Sequence, residues 1–401
     1  MTEEQDANKI ILPLFRRGQW YESLDCVSVH KTNQTHLSLA PRIMMRDDAR
    51  WFKKTSGSLF MPIKQERIRI LSDAIRIFSN ETVEYNGETQ GVADFIDRLW
   101  EYNGLPDKLT RDWLRIFGEV FESQEWDCIT EGQKGEIALV SLPSNTFLCL
   151  EACFNILVSG KALWIRPSQR EPFSCIRFIA SLVQSGWPKE ALGFYGTSRS
   201  DLSLLVSISD KAILFGGEQL EKEYKDHKNV ELKGPGRTCA IIGRNMDRCF
   251  SIEWLMEKVA GNAGRFCTCA STILCLDDFE AISGGLANQL DCIPIDSGRE
   301  DTPFPLTQLW EKEEICQMES WVRSCLQPND VILTSRPFVI ETNEGKAIPA
   351  PTLIALGNPL NHPLLGMELP FPFAAIAQVR EEDIQELTRN ANFIFRIGEG
   401  Q

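Results

Sequence analysis

Short apolar runs that alternate with helical segments occupy the middle of this 401-residue chain, and they limit the fold most strongly. Buried strands are predicted at six runs, residues 136–142, 162–166, 192–195, 212–215, 230–232 and 239–242. Helices are predicted between them at 147–158, 173–185 and 218–224. Strand, helix and strand in succession predict an α/β fold with a parallel sheet and right-handed crossovers. A dinucleotide fits at the carboxyl ends of such strands.

The chain is long enough for more than one core, because single cores stop growing at roughly 250 to 300 residues. Residues 1–130 are predicted to be a helical and irregular lead-in that packs on the cofactor domain, with helices at 65–80, 94–102 and 108–121. A dinucleotide-binding domain is expected at 131–232 and a catalytic cysteine domain at 233–401.

The charge balance restricts the partners of this chain. Its formal net charge is −14 and its pI is near 5.0. Nucleic acids and anionic membranes are recognised by clustered Lys and Arg, which are missing here, so neither partner is expected. No apolar run approaches the roughly 18 residues of a membrane span. The expected substrate is small, or is carried by a partner.

The thirteen cysteines do not suggest a disulfide framework, because their number is odd and their spacing irregular. Residues 1–6 have neither a basic nor an apolar signal region, so a reducing cytoplasm is expected. No paired CxxC occurs, so no metal site is expected.

One cysteine has a setting suited to chemistry. Cys267 follows the small, flexible loop at 261–264, and Glu231 lies 36 residues earlier at the end of a predicted strand. A soft nucleophile of this kind forms a thioester that stays reactive enough to accept hydride. Cys269 is the rival nucleophile, and the spacing from Asn262 and Gly264 favours Cys267.

Six motifs in order resemble those of the aldehyde dehydrogenase superfamily. ELKGPG at 231–236 resembles "ELGGK", and NAGRFC at 262–267 resembles "NxGQxC". PSNTF at 143–147 resembles "PWNFP", IRPS at 165–168 resembles "LKPS", FGG at 215–217 resembles "FTGS", and ELPFP at 368–372 resembles "EIFGPV". The substitutions within them are most similar to the acyl-CoA reductase family that includes the fatty acid reductase of bacterial luminescence. The resemblance implies a parallel Rossmann-type cofactor sheet with a second α/β catalytic domain.

The resemblance also implies roles for catalytic residues. Cys267 would attack the carbonyl, and Asn145 would stabilise the oxyanion together with the backbone N–H of Cys267. Glu231 matches the glutamate that activates water in hydrolytic members. The alternative for Glu231 is a solvated residue at a strand end.

Cofactor contacts follow from the same resemblance. Arg166 and Ser168 would hold the adenine ribose, and the missing acid at Gln169 favours NADPH, since Arg binds phosphate through a bidentate fork. A solvated strand-end Arg166 is the alternative. Gly216 and Gly217 would approach the pyrophosphate at a helix start. Glu368 would hold the nicotinamide ribose.

These assignments predict NADPH-dependent reduction of an acyl thioester, on CoA or a carrier protein, to an aldehyde. NAD(P)-dependent oxidation of an aldehyde to an acid through Glu231 is the alternative in the same fold. Two weaker alternatives are an acyl transferase and an inactive scaffold. The chain ends 33 residues after Glu368, before the hairpin through which the family oligomerises, so an oligomer is possible but the usual dimer is not assured.

Overall fold

The structure, a computed structural model, describes residues 9–29, 34–295, 304, 306, 311–341 and 347–398. The segment 1–6, on which the expectation of a cytoplasmic location partly rests, lies outside these residues. The described chain forms two compact units. The first comprises Met1–Asn103 and Leu109–Lys233, and the second comprises Gly104–Lys108 and Gly234–Gln401. The proposed division of the first unit at residue 130 stays a prediction.

The first unit contains short strands near the amino terminus and longer ones after residue 136. The early strands are β1 (Ile10–Leu12), β2 (Leu14–Arg16), β3 (Gln19–Tyr21), β4 (Cys26–Ser28), β5 (Thr35–Ser38), β6 (Val83–Tyr85) and β7 (Glu88–Gln90). The later strands are β8 (Ile137–Ser141), β9 (Ala162–Arg166), β10 (Leu192–Phe194), β11 (Lys211–Phe215) and β12 (Val230–Lys233).

Seven of the described strands form one sheet in the order β12-β11-β8-β9-β10-β2-β3. The five strands after residue 136 pair in parallel, as the alternation of strands and helices predicts. All five residues of β8 are buried, which is typical of a strand covered on both faces.

Of the helices described in the first unit, the four that begin after residue 150 contact strands of this sheet. The helices of the unit are α1 (Arg42–Thr55), α2 (Lys64–Asn80), α3 (Val92–Asn103), α4 (Asp107–Glu122), α5 (Ala152–Val158), α6 (Phe173–Gln184), α7 (Leu202–Ile208) and α8 (Glu218–Tyr224). Short 3-10 helices cover Phe147–Glu151, Lys189–Ala191 and Arg199–Asp201. Helix α2 buries Ile70, Leu71, Ala74 and Phe78, residues spaced to share one face.

The amino-terminal region differs from the predicted helical and irregular lead-in. Strands β2 and β3 form a hairpin that extends the large sheet, with Phe15 of β2 paired antiparallel to Phe194 of β10. Strands β1, β4 and β5 form a separate sheet. Each of β1 to β4 has three residues, which is too short to display the alternating pattern by which a strand is predicted.

The second unit contains β13 (Thr238–Ile242), β14 (Ala270–Cys275), β15 (Val331–Ile332), β16 (Val339–Glu341), β17 (Ala347–Pro349), β18 (Thr352–Ala355), β19 (Phe373–Gln378) and β20 (Ile394–Ile397). Its helices are α9 (Arg248–Ala260), α10 (Phe279–Asp291), α11 (Lys312–Cys325) and α12 (Ile384–Leu387), with a tight turn at Gly261–Gly264 and a 3-10 helix at Glu381–Asp383. Six of the described strands form a sheet in the order β15-β18-β19-β14-β13-β20, parallel except for β15.

Candidate functional site

The loop before Cys267 has an unusual backbone. Asn262, Ala263 and Gly264 all adopt left-handed conformations, with φ of 49°, 60° and 68°. Asn tolerates this region and Gly has no penalty there, whereas Ala is strained. A Cβ atom on Gly264 would lie 2.5 Å from the backbone nitrogen of Pro372. The Asn-x-Gly part of the motif therefore has a physical cause, since it permits three left-handed residues packed against the 371–372 segment.

Cys267 lies in the turn between this loop and β14. The N–H of Cys269 donates to the carbonyl oxygen of Phe266 at 2.9 Å, which places Cys267 at the second position of the turn. The hydroxyl of Thr238 donates to the carbonyl oxygen of Cys267 at 2.6 Å. The backbone at Cys267 is thus held from two sides, and its side chain is exposed. An accessible thiol on a fixed backbone is suited to attack a carbonyl carbon.

Cys269, the rival nucleophile, has a different environment. Its side chain is half-buried, and its thiol donates to the carbonyl oxygen of Gly261 at 3.3 Å. Burial raises the pKa of Cys269 to about 11. Because the thiolate is the reactive form, this shift disfavours Cys269 as a nucleophile at neutral pH.

Glu368 lies beside the cysteine turn within the second unit. Its Oε1 accepts the backbone N–H of Arg237 at 2.8 Å. A Cβ atom on Gly236 would be 2.8 Å from this oxygen and 2.0 Å from the carbonyl oxygen of Cys267. Only glycine fits at position 236, and the absence of a side chain there lets Glu368 approach the turn that carries Cys267.

Glu231 lies in β12 of the first unit and takes part in an ion-pair network. Its Oε1 lies 2.8 Å from Lys233 Nζ, and its Oε2 lies 3.0 Å from Lys211 Nζ. The hydrogen bond from Lys233, followed by that from Lys211, lowers the pKa of Glu231. The carboxylate is therefore ionised at neutral pH, as a proton acceptor must be, but the two ammonium groups weaken its basicity.

Asn145 follows β8, on the segment that leads into the 3-10 helix Phe147–Glu151. Its side chain is half-buried. The amide of Asn103 donates to the carbonyl oxygen of Ser144 at 2.9 Å, and the hydroxyl of Thr146 accepts the N–H of Leu148 at 3.1 Å. These bonds hold the backbone on both sides of Asn145 at the carboxyl end of a parallel strand, where ligands bind in such sheets.

Arg166 ends β9, and neutral groups hold its guanidinium. Nε donates to the hydroxyl of Thr197 at 2.9 Å, and Nη1 donates to the hydroxyl of Ser141 at 3.3 Å. Burial lowers the pKa of Arg166. Ser168 is half-buried, and its hydroxyl accepts the N–H of Arg170 at 3.2 Å. Arg166 therefore does not match the alternative of a solvated strand-end residue.

Gly216 and Gly217 connect β11 to α8. A Cβ atom on Gly217 would have nothing within 4 Å, whereas one on Gly216 would lie 2.8 Å from Leu220. The backbone at Gly217 is thus open to a ligand. Helix α8 carries Glu218 and Glu221 in its first turn, and these acids oppose an anion at that end.

Glu171 is a buried carboxyl group in the loop between β9 and α6. Its Oε1 accepts the N–H of Ser174 at 2.9 Å, in the first turn of α6. Burial raises the pKa of Glu171 from 4.5 to about 7. The folded chain therefore binds this proton more tightly than the unfolded chain does. The resulting stabilisation is complete below about pH 4.5 and is lost as the pH rises to about 7.

We expect Glu171→Gln to remove this pH dependence. Between pH 5 and pH 8 the wild type should lose up to about 3 kcal/mol of unfolding free energy that the variant keeps, since each pKa unit corresponds to about 1.4 kcal/mol. Urea unfolding at both pH values measures the difference, with the exposed Glu122→Gln on α4 as the matched control. Equal pH dependence in the two variants would refute the role of Glu171.

Several residues that contact these positions were assigned no catalytic or cofactor role from the motifs. Gly236 and Thr238 contact the backbone of Cys267, and Ser141 and Thr197 bind Arg166. Arg199 lies near Arg166 and also lowers the pKa of its guanidinium, after burial. The available signal was the hydroxyl-rich stretch TSRS at 197–200, directly after a predicted strand.

Within the described ranges, no group of three or more His, Cys, Asp or Glu side chains is arranged to hold a metal ion. No helix in the described part of the chain combines the length and the apolar character needed to cross a bilayer.

The arrangement is that of a two-unit α/β protein, with a parallel nucleotide-binding type of sheet in one unit and an exposed cysteine on a constrained loop in the other. The family model for the aldehyde dehydrogenase family matches residues 143–393, more than half of the chain. The chain therefore belongs to the aldehyde dehydrogenase family, whose members are NAD(P)-dependent oxidoreductases. The acyl-CoA reductase branch receives no support of its own from this match.

Individual relatives are distant. A putative aldehyde dehydrogenase of Staphylococcus aureus is 22% identical over 232 residues, which cover 55% of this chain and 48% of that protein. The chain thus spans about half the length of the curated relatives it matches. Methylmalonate-semialdehyde dehydrogenase from Oceanimonas doudoroffii has a TM-score of 0.79 at 15% identity, over 97% of this chain and 86% of that one.

A third comparison concerns a protein solved with its cofactor. NADP-dependent glyceraldehyde-3-phosphate dehydrogenase from Bacillus halodurans C-125, complexed with NADP, has a TM-score of 0.76 at 15% identity. The structural match covers 97% of this chain and 87% of the Bacillus halodurans chain. At these identities the solved structures establish the fold, which is the predicted aldehyde dehydrogenase-like α/β architecture.

Proposed function

We propose that this chain catalyses the NAD(P)-dependent oxidation of a small aldehyde to a carboxylic acid, with Cys267 as the nucleophile. The exposed thiol on its constrained loop, in a chain matched by the family model over 143–393, carries this proposal. The relatives' names favour oxidation over the thioester reduction predicted from the branch resemblance, since they describe aldehyde dehydrogenases.

The chemistry at Cys267 consists of two half-reactions. The Cys267 thiol gives its proton to solvent, its sulfur bonds to the aldehyde carbon, and the carbonyl electron pair moves to oxygen. Asn145 with the backbone N–H of Cys267 stabilises this oxyanion, as the family resemblance assigns. The nicotinamide, when bound, supplies the hydride acceptor. After hydride loss the acyl group remains on Cys267 as a thioester. Water then adds to the thioester carbon, Glu231 takes the proton, and the thiolate leaves as the acid forms.

The residues present fit a dinucleotide cofactor at the carboxyl ends of the parallel strands. Arg166 would contact the adenine ribose, Ser168 and Gly217 would bind nearby through hydroxyl and backbone groups, and Glu368 would hold the nicotinamide ribose. NADP is proposed over NAD, because Gln169 replaces an acid and its amide donates to the carbonyl oxygen of Thr197 at 3.3 Å. Gly216 is assigned to the same turn by the resemblance.

Acyl-thioester reduction is the second candidate, and one observation favours it. Lys211 and Lys233 weaken Glu231 as a base. The acyl group of CoA or a carrier protein would be transferred to Cys267 as the donor's thiol leaves. A weak base slows hydrolysis, so this thioester would last long enough to take up hydride from NADPH and release the aldehyde from the Cys267 sulfur. The thirteen cysteines form no disulfide among the described residues, which fits a reducing compartment in either case.

Glu231→Gln distinguishes the two candidates. We expect acid release to fall about 10²-fold while acylation of Cys267 continues, because the general base acts only on hydrolysis. Purified protein would be given a panel of aldehydes with NADP or NAD, and separately acyl-CoAs with NADPH. Product analysis and mass spectrometry of the Cys267 peptide identify the reaction.

The control for this experiment is Glu84→Gln on the short strand β6, an exposed position. Acid release that persists unchanged in Glu231→Gln would exclude Glu231 as the base. Aldehyde formation from acyl-CoA without aldehyde oxidation would favour the reductase instead.

A further inference from the structure

We propose that Arg199 and Arg166 together form a binding site for a phosphate monoester, and that its ligand is the 2′-phosphate of an adenosine cofactor. Arg199 would then be the residue that sets the preference for the phosphorylated cofactor. This inference rests on the proposed function, in which a dinucleotide binds at this edge of the sheet, and it adds a residue that the family motifs do not contain.

Backbone topology brings the two arginines to one edge of the sheet. Strands β9 and β10 are adjacent and parallel, with Ile165 paired to Phe194. The loops that follow them therefore leave the sheet at the same end. Two hydrogen bonds join the segment 166–169 to Thr197. Arg166 Nε donates to the Thr197 hydroxyl at 2.9 Å, and Gln169 Nε2 donates to the Thr197 carbonyl oxygen at 3.3 Å. Arg199 follows Thr197 by two residues.

The guanidinium groups of Arg166 and Arg199 have neutral hydrogen-bond partners. The polar partners of the Arg166 guanidinium are hydroxyl groups, and Arg199 Nη2 donates to the amide oxygen of Gln219 at 2.8 Å. The acid nearest to Arg199 along the chain is Asp201, whose Oδ1 lies 3.0 Å from Nη1 of Arg42. In the described part of the chain, no carboxylate forms an ion pair with Arg166 or Arg199.

Two guanidinium groups on neighbouring loops, neither of them paired with a carboxylate among the described residues, favour an anion. Their mutual repulsion costs free energy that a bound dianion removes. Arg166 is half-buried and fixed by its hydroxyl partners, whereas Arg199 is exposed and accessible to a ligand in solution. Ser198 and Ser200 add hydroxyl groups beside Arg199, with their oxygens 2.8 Å apart. Arginine forks of this kind match the oxygens of a phosphate.

The position of the site selects the ribose phosphate among possible anions. In a doubly wound sheet, the residues after the second strand of the nucleotide-binding unit contact the ribose hydroxyls, and an arginine there accommodates a 2′-phosphate. Arg166 ends the second parallel strand along the chain, and Gln169 occupies the loop without adding negative charge.

Direct binding of 2′,5′-ADP and 5′-ADP to the full chain tests the proposal without catalysis. By titration calorimetry, the wild type should bind 2′,5′-ADP at least about 10-fold more tightly than 5′-ADP, because charge-assisted hydrogen bonds to the added phosphate contribute this much. Arg199→Gln should remove about 10-fold of the affinity for 2′,5′-ADP and leave that for 5′-ADP unchanged. Arg199→Lys should keep part of the preference, since it retains the charge.

Salt provides a second readout. The affinity for 2′,5′-ADP should fall more steeply with ionic strength in the wild type than in Arg199→Gln. Arg115→Gln on α4, an exposed arginine paired with Glu119, removes the same charge elsewhere in the unit and should change neither affinity.

Three results would overturn the inference. The wild type could bind both nucleotides equally, Arg199→Gln could weaken both equally, or inorganic phosphate alone could bind as tightly as 2′,5′-ADP. Failure of the proposed function is distinguishable, because these titrations need no turnover. If both nucleotides bind equally, the phosphate site is wrong but NAD-dependent aldehyde oxidation remains open. If no aldehyde is oxidised but 2′,5′-ADP is still preferred, the proposed function is wrong and the phosphate site remains.

Discussion

Cys267→Ala should abolish aldehyde oxidation, with a loss of at least about 10³-fold in kcat/KM, because alanine cannot form the covalent intermediate. The exposed thiol of Cys267 contrasts with that of Cys269, whose pKa burial raises to about 11. The variant should also lose the acyl adduct that mass spectrometry detects on the 267 peptide. Folding should be unaffected, since the side chain is at the surface.

Cys269→Ala is the matched control. It changes a cysteine two residues away, and we expect most of the activity and the acyl adduct on Cys267 to remain. If instead Cys269→Ala removes the activity and Cys267→Ala keeps it, the assignment of the nucleophile is wrong. If neither substitution matters, the proposed chemistry is wrong as a whole.

Arg177→Met should destabilise the first unit by about 3 to 5 kcal/mol, as expected when a buried charged partner is removed. Arg177 of α6 is fully buried and lies over the rings of Phe78 and Phe95. Its guanidinium donates to the carbonyl oxygens of Phe78 at 2.8 Å, Gln90 at 3.0 Å and Glu81 at 2.6 Å. Methionine fills similar space but leaves these acceptors without their donor.

Arg69→Met on α2 is the control for this prediction. Arg69 is exposed and pairs with Glu66 and Asp73 on its own helix, so its removal should cost less than about 1 kcal/mol. Urea unfolding followed by tryptophan fluorescence compares the two variants. A cost for Arg177→Met no larger than that for Arg69→Met would show that the buried network does not stabilise the unit.

The pattern of the sequence predicts the regular elements between 136 and 242 well. Strand β9 and helix α8 have the predicted bounds. Strand β11 and helix α6 differ from the prediction by one residue at one end, and β8 by one residue at each end. These elements are governed by local signals, because buried parallel strands need apolar runs and crossover helices need a periodic apolar face. The order of six motifs likewise pointed to the family that the comparisons establish.

The sequence was less informative where partners are distant along the chain. The hairpin of β2 and β3 is recognisable only by its pairing with β10, almost 180 residues later. Helix 147–158 was predicted as continuous, but its first turn is a 3-10 helix at Phe147–Glu151. In both cases tertiary packing decided what short segments with weak intrinsic preferences became.

The sequence by itself determined the fold class and the family, and it predicted the motif around Cys267, since short apolar runs and motifs of neighbouring residues carry all three. Only the tertiary structure decided that Lys211 and Lys233 flank Glu231, and that Arg199 stands beside Arg166 without a carboxylate partner among the described residues. The strength of a base and the affinity of an anion site depend on charges close in space, and parallel pairing brings these charges together from strands separated by whole crossover helices.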